Sequence, residues 1–170
     1  MDTYLAITSR RDVKSYESRP VPDELARRIL DAGRLAGSAR NRQPWRFLVV
    51  QDGELRSALA ETVYVPENVL GAGLVVAVTA PAGGGGTFDC GRATQSMLLA
   101  AWNEGIASSP NGVHDQARAG GLLGLDGEWV TQVVLTFGFP ARPVDPESRT
   151  PEEWSARANR LPLDEVAKTL

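Results

Sequence analysis

The chain has 170 residues, 42% hydrophobic and 23% charged, with a formal net charge of -3. That length and balance fit one compact domain, residues 1–170, large enough to bury its own core. An acidic net charge argues against general nucleic-acid binding, no apolar run is long enough for a membrane span, and Met1-Asp2-Thr3-Tyr4 lacks the basic-then-apolar pattern of a signal peptide, so the expectation is a cytoplasmic protein with neither nucleic acid nor membrane as partner.

Thr3 to Arg10 reads as a short helix. Pro22-Asp23-Glu24 opens a second, with Leu25, Ile29, Ala32 and Ala36 on one face and Gly37 as the expected stop. Arg46 to Val50 reads as a strand, Gly53 to Thr62 as a helix, and Leu74 to Thr79, apolar and rich in β-branched residues, as a buried strand. Gly83 to Gly86 reads as a flexible linker or a loop tip; without a following Gly-Lys-Ser/Thr it does not read as a phosphate loop. Asp89 is the expected N-cap of a long helix ending near Gly105. The middle of that helix, Met97 to Trp102, is apolar nearly all round, which implies burial on most sides, either with part of its surface covered by a partner subunit or as a core helix in a monomer. His114 to Leu123 reads as a helix and Trp129 to Phe139 as the clearest strand. Pro140 to Pro151 reads as extended and surface-lying, but Trp154, Leu161, Leu163 and Val166 beyond it need a surface, so the tail is expected to dock again.

One cysteine, Cys90, excludes an internal disulfide, and one histidine, His114, with one cysteine cannot build a usual structural zinc site; no metal is expected. No nucleophile motif lies near His114, so a bound cofactor would have to carry any chemistry.

Three stretches carry chemically suggestive residues. Arg10 and Arg11 at the end of a short helix could hold one phosphomonoester, although paired arginines also form ordinary solvated faces. Gly37 to Trp45 presents Asn41 and Gln43, amides able to pair with a heterocycle edge, or else forms a tight helix-to-strand connection plugged by Trp45. Pro110-Asn111-Gly112 reads as a tight turn with exposed backbone N–H groups.

In this order, the stretches resemble the FMN-dependent nitroreductase family. Arg10-Arg11-Asp12-Val13-Lys14-Ser15-Tyr16 is similar to that family's opening. Ala36 to Trp45 resembles its Ala-Pro-Ser-x-x-Asn-x-Gln-Pro-Trp, Asp89 to Ala101 its central dimer helix, Phe137-Gly138-Phe139-Pro140 the end of its last core strand, and Arg160-Leu161-Pro162-Leu163-Asp164-Glu165-Val166 its closing motif. The resemblance implies an α+β fold, a mixed and mainly antiparallel sheet flanked by helices, in an intertwined homodimer with FMN at the subunit interface. It implies phosphate and ribityl contacts from Arg10, Arg11 and Arg160, with Asp12 in the same segment. Lys14 would lie beside the flavin N1–C2=O edge. Ser38, Ala39 and Asn41 would pack on the flavin from the other subunit. Asn111 and Gly112 would form the turn facing flavin N5, so Lys14 and Gly112 would carry catalysis. NAD(P)H would be the electron donor, and a nitroaromatic, quinone or similar flat molecule the acceptor in a ping-pong reaction.

Four departures qualify that expectation. Asp12 replaces a usual serine, which is unfavourable near a phosphate unless Arg10 or Arg11 pairs with it. Gly37 replaces proline, Asn111 stands where several relatives carry glutamate, and the chain is short where relatives carry helices that roof the flavin. The same scaffold could instead use a deazaflavin, cleave flavin, or oxidise a peptide or azoline; a non-catalytic flavin binder is the third alternative.

Overall fold

The computed structural model describes residues 1–84 and 86–170. Four strands, β1 (Arg46–Val49), β2 (Leu74–Pro81), β3 (Ala107–Asn111) and β4 (Trp129–Gly138), form an antiparallel sheet in the order β1-β2-β4-β3. An isolated parallel bridge between Asp12 and Ser108 lays the N-terminal segment beside β3 and makes that edge mixed.

Strand β2 explains the layering. Successive side chains point to opposite faces. Val76, Val78 and Ala80 join Ile29 of α2 (Asp23–Arg34) and Ala93, Met97 and Ala101 of α5 (Thr87–Asn103) on one face. Val75 and Ala77 join Leu59 of α3 (Gly53–Ala60), Val69 of α4 (Pro66–Gly71) and Ala119 of α6 (Gln116–Leu122) on the other. The result is the expected α+β arrangement. Helix α1 (Thr3–Ser9), capped by Asp2, is tied to the end of α5, where Trp102 Nε1 donates to Ser9 Oγ at 2.9 Å.

Three local expectations need correction. Asp89 does not cap α5: the N-cap is Gly86, and the Asp89 carboxylate, buried within the first turn, accepts from Ala39 N. Pro110 and Asn111 are not a turn but the end of β3. An edge strand tolerates proline because its missing N–H need not enter the ladder. The tail is not extended up to Pro151: Pro146–Ser148 is a 3-10 turn and α7 (Pro151–Ala156) follows. Thr150 and Glu153 form a capping box there, with Pro151 in the first turn, a signal already present in Thr-Pro-Glu-Glu. Helices α4 and α8 (Leu163–Val166) were also missing from the sequence expectation.

The tail docks in part. Trp154 is packed and hydrogen-bonded, whereas Leu161, Leu163 and Val166 are exposed in the single chain.

Candidate functional site

The segment after α1 is held as a strap. Val13 N donates to Ser108 O at 3.1 Å, Glu17 N to Phe139 O at 2.8 Å, and Ala141 N to Ser15 O at 3.0 Å. The Tyr16 ring lies on Gly138, where an added Cβ would meet it at 2.8 Å, and its hydroxyl meets Thr136 Oγ1 at 3.0 Å. Burial pushes the Tyr16 phenol up to about 12; the Asp12 charge acts the same way, against the Thr136 hydrogen bond. Lys14 is thus fixed at its backbone on both sides, while its side chain is exposed and enters no ion pair among the described residues.

Arg10 is largely buried. Its Nη2 pairs with Asp12 Oδ1 at 2.9 Å, while its Nη1 is buried without an acceptor. That ion pair meets the condition under which Asp12 is tolerable beside a phosphate. Arg11 has a different setting. Its Nη1 donates to Thr8 O (2.7 Å) and Arg10 O (2.9 Å), and its Nη2 to Trp154 O (3.0 Å). Desolvation lowers its pKa, and the like charges of Arg160, Arg10 and Arg157 lower it further.

At the far end of β3, Asn111 is buried and internally satisfied. Its Nδ2 donates to Ser109 O, Val134 O and Thr136 Oγ1, and its Oδ1 accepts from Asn68 Nδ2 at 2.7 Å. The side chain therefore fixes the strand end rather than facing a ligand. The adjacent Gly112 is exposed. Its carbonyl accepts from Tyr64 N, and an added Cβ would meet the Tyr64 ring at 3.2 Å, a tight contact that the ring would have to relieve by a small shift. Tyr64 is itself exposed, and its ring lies 5.4 Å from that of His114.

The loop from Ser38 to Gln43 contains three non-glycine residues with left-handed backbone: Arg40 (φ 53), Asn41 (φ 54) and Gln43 (φ 50). Each such residue costs roughly 1–2 kcal/mol, somewhat less for asparagine. Internal bonds hold it: Ser38 Oγ accepts from Gln43 N at 2.8 Å, and Gln43 Nε2 donates to Asn41 Oδ1 at 3.3 Å. An external bond anchors it, from Ala39 N to Asp89 Oδ2 at 3.2 Å. Strained backbone that the surroundings over-determine is a mark of functional loops.

The Ser38–Gln43 loop and the arginine segment are anchored at opposite ends of α5. Asp89, near the start of α5, holds the Ser38–Gln43 loop; Trp102, near its end, holds α1 and hence the strap. They are 13 positions apart along the helix, about 20 Å of rise.

The Nitroreductase family model matches residues 7–85 and 84–139. A protein of Methanothermobacter thermautotrophicus named "Putative NADH dehydrogenase/NAD(P)H nitroreductase" is 30% identical over 169 residues, covering 91% of this chain and 88% of that protein. A protein of the same name from Archaeoglobus fulgidus is 33% identical over 144 residues, covering 79% of this chain and 83% of that one. The chain belongs to the nitroreductase family. Among solved structures, "a putative nitroreductase in complex with FMN" from Desulfovibrio desulfuricans superimposes with a TM-score of 0.82 at 28% identity, covering 100% of this chain and 98% of that one.

Against the nitroreductase pattern, the Gly37 departure has a structural counterpart. The space beside Gly37 holds the Arg92 guanidinium, 2.7 Å from where a Cβ would stand. Sequence reasoning passed over Asp89 as a loop anchor and Arg157 as a member of the cationic group. For Asp89 no local signal existed, because its partner is 50 residues away. For Arg157 the signal was the capping box, which fixes α7 and therefore where Arg157 emerges.

Proposed function

We propose that this nitroreductase-family oxidoreductase acts as a homodimer, binds FMN between its subunits, and transfers electron pairs from NAD(P)H to a small flat acceptor such as a nitroaromatic or quinone by a ping-pong reaction. The observation that carries this reading is the cationic group around Arg10. A buried guanidinium N–H without an acceptor, with Arg11, Arg157 and Arg160 close enough to act on one another, calls for an anion richer in acceptors than Asp12 alone. A flavin phosphate has that chemistry. The FMN named in the Desulfovibrio structure and the NAD(P)H named for the two archaeal relatives support the choice of cofactor and donor.

When bound, FMN would supply two-electron redox chemistry between a reduced nicotinamide and the acceptor. The chain's residues bind and polarise it. Arg10 and Arg160 hold the phosphate, and Asp12 orients Arg10. Lys14 contributes an unpaired ammonium where negative charge grows on reduction, a stabilisation that operates best when the charge is already positioned. Gly112 offers its exposed backbone N–H, with Asn111 fixing the strand end that presents it. Ser38, Ala39 and Asn41 come from the partner. Their distance along α5 from Arg10 in the same chain supports that assignment, and so does the exposed apolar surface of Tyr4, Ile7, Phe88 and the tail leucines.

The test is the visible spectrum of the purified protein before and after anaerobic NADH or NADPH. Flavin bands that bleach are expected. No flavin bands even after added FMN would sink the reading.

A further inference from the structure

Trp154 occupies an unusual position for a tail residue. The guanidinium of Arg149 lies 4.8 Å from its ring centroid, and that of Arg11 lies 5.5 Å from it. Its indole Nε1 donates to Pro146 O at 2.8 Å, and its carbonyl accepts from Arg11 Nη2 at 3.0 Å. Arg149 and Pro146 thus fix the indole within the tail, and Arg11 fastens the tail to the segment that follows α1. Cations near an indole face and hydrogen bonds to its polar atoms favour one orientation of both partners.

Arg11 serves this fastening with its other nitrogen as well. Nη1 is bonded to two carbonyls of its own segment, so the side chain bridges α1 to α7. Three residues after Trp154, Arg157 caps α7 with its N–H on Glu153 O; Asn159 then turns the chain through left-handed backbone (φ 48), and Arg160 follows. Arg157 and Arg160 are exposed, and their ordinary tendency would be to separate from Arg10 and Arg11. Fastening at Trp154 opposes that separation.

We propose that Trp154 is a positioning residue, clasped by Arg11 and Arg149, that holds Arg157 and Arg160 at the phosphate end of the flavin site and so makes the protein select FMN over riboflavin, which lacks the phosphate. This rests on the FMN reading above. Arg11 then acts through the tail rather than as a direct phosphate ligand, and Arg157 joins Arg160 as a contact.

The experiment is titration of flavin-free protein with FMN and with riboflavin, read by quenching of flavin fluorescence. Trp154→Ala should weaken FMN binding about tenfold while changing riboflavin binding by no more than about twofold. Trp154→Phe, which keeps an aromatic face, should restore most of the preference. Arg157→Ala, a surface change that leaves the clasp intact, should lower the FMN-to-riboflavin ratio by itself and decides the matter where Trp154→Ala does not fold. An unchanged ratio in Trp154→Ala or Arg157→Ala, or equal weakening of both flavins, overturns the clasp and leaves the FMN reading standing. Wild-type protein that binds neither flavin overturns both.

Discussion

The two ends of α5 hold the two halves of the candidate site in opposite ways. At its C-terminal end, α1, the strap and α7 bring charge together: Arg10, Arg11, Arg157 and Arg160, with Asp12 as the carboxylate paired to Arg10. At its N-terminal end, the Ser38–Gln43 loop is held by shape, with three left-handed residues tied to the buried Asp89. One end gathers charge, the other is a loop fixed by its backbone geometry. About 20 Å of helix lies between them, so under the homodimer reading proposed above a molecule that used both would take one from each chain.

The strongest way to break this comparison is to disable one half per chain. Arg10→Ala removes the anion end and Asn41→Ala the loop end, since alanine is poorly suited to φ 54. Each homodimer should lose flavin-dependent NAD(P)H oxidation. In a randomly mixed population, half the dimers carry both variants and one of their two sites is intact, so about a quarter of the wild-type sites should return. No recovery, with mixed dimers verified by affinity tags, would mean that each chain completes its own site.

A smaller effect sharpens the loop half. Asp89→Ala removes the acceptor of Ala39 N and should destabilise the protein by about 1 kcal/mol, the net worth of a hydrogen bond whose donor, on exposed Ala39, water can reach. Asp89→Asn keeps an acceptor oxygen and should cost less. Urea unfolding midpoints measure both; an alanine variant as stable as wild type would deny Asp89 its anchoring role.

These two halves were unequally legible in the sequence. The order of motifs disclosed the family, and Arg10, Lys14, Asn41 and Gly112 stood out as residues. The unbroken apolar run Leu74–Thr79 was enough to read β2 as a buried strand, because burial on both faces removes the alternation of a half-buried one. What local pattern could not give was long-range pairing. Asp89 reads as a helix cap until the loop 50 residues earlier is seen to take its carboxylate. Asn111 reads as a turn residue until Asn68, Val134 and Thr136 enclose its amide. Arg11 reads as a twin of Arg10, yet the fold points one guanidinium at Asp12 and the other at the Trp154 carbonyl. Asn-Gly and Arg-Arg have strong local meanings, and tertiary contacts replaced them.

The smallest expected effect compares the two ends through pH. Cys90 lies beneath the loop end, its thiol against Pro44 O at 3.6 Å, and burial, helped by the Asp89 charge, pushes it up to about 11 from 9.0. Tyr16 pins the strap end and is pushed up to about 12 from 10.0, mainly by burial. In both cases the native state keeps a proton that the unfolded chain releases first. The unfolded state therefore binds fewer protons above its ordinary pKa, and stability falls as pH rises. The Cys90 contribution to that fall should begin near 9 and end near 11, that of Tyr16 should run from near 10 to near 12, and neither should act at neutral pH. Urea unfolding at about pH 8, about pH 10 and about pH 12 separates them, because Cys90→Ala should flatten the earlier part of the decline and Tyr16→Phe the later part. Equal declines in wild type and both variants would show that neither buried proton couples its end of the molecule to folding.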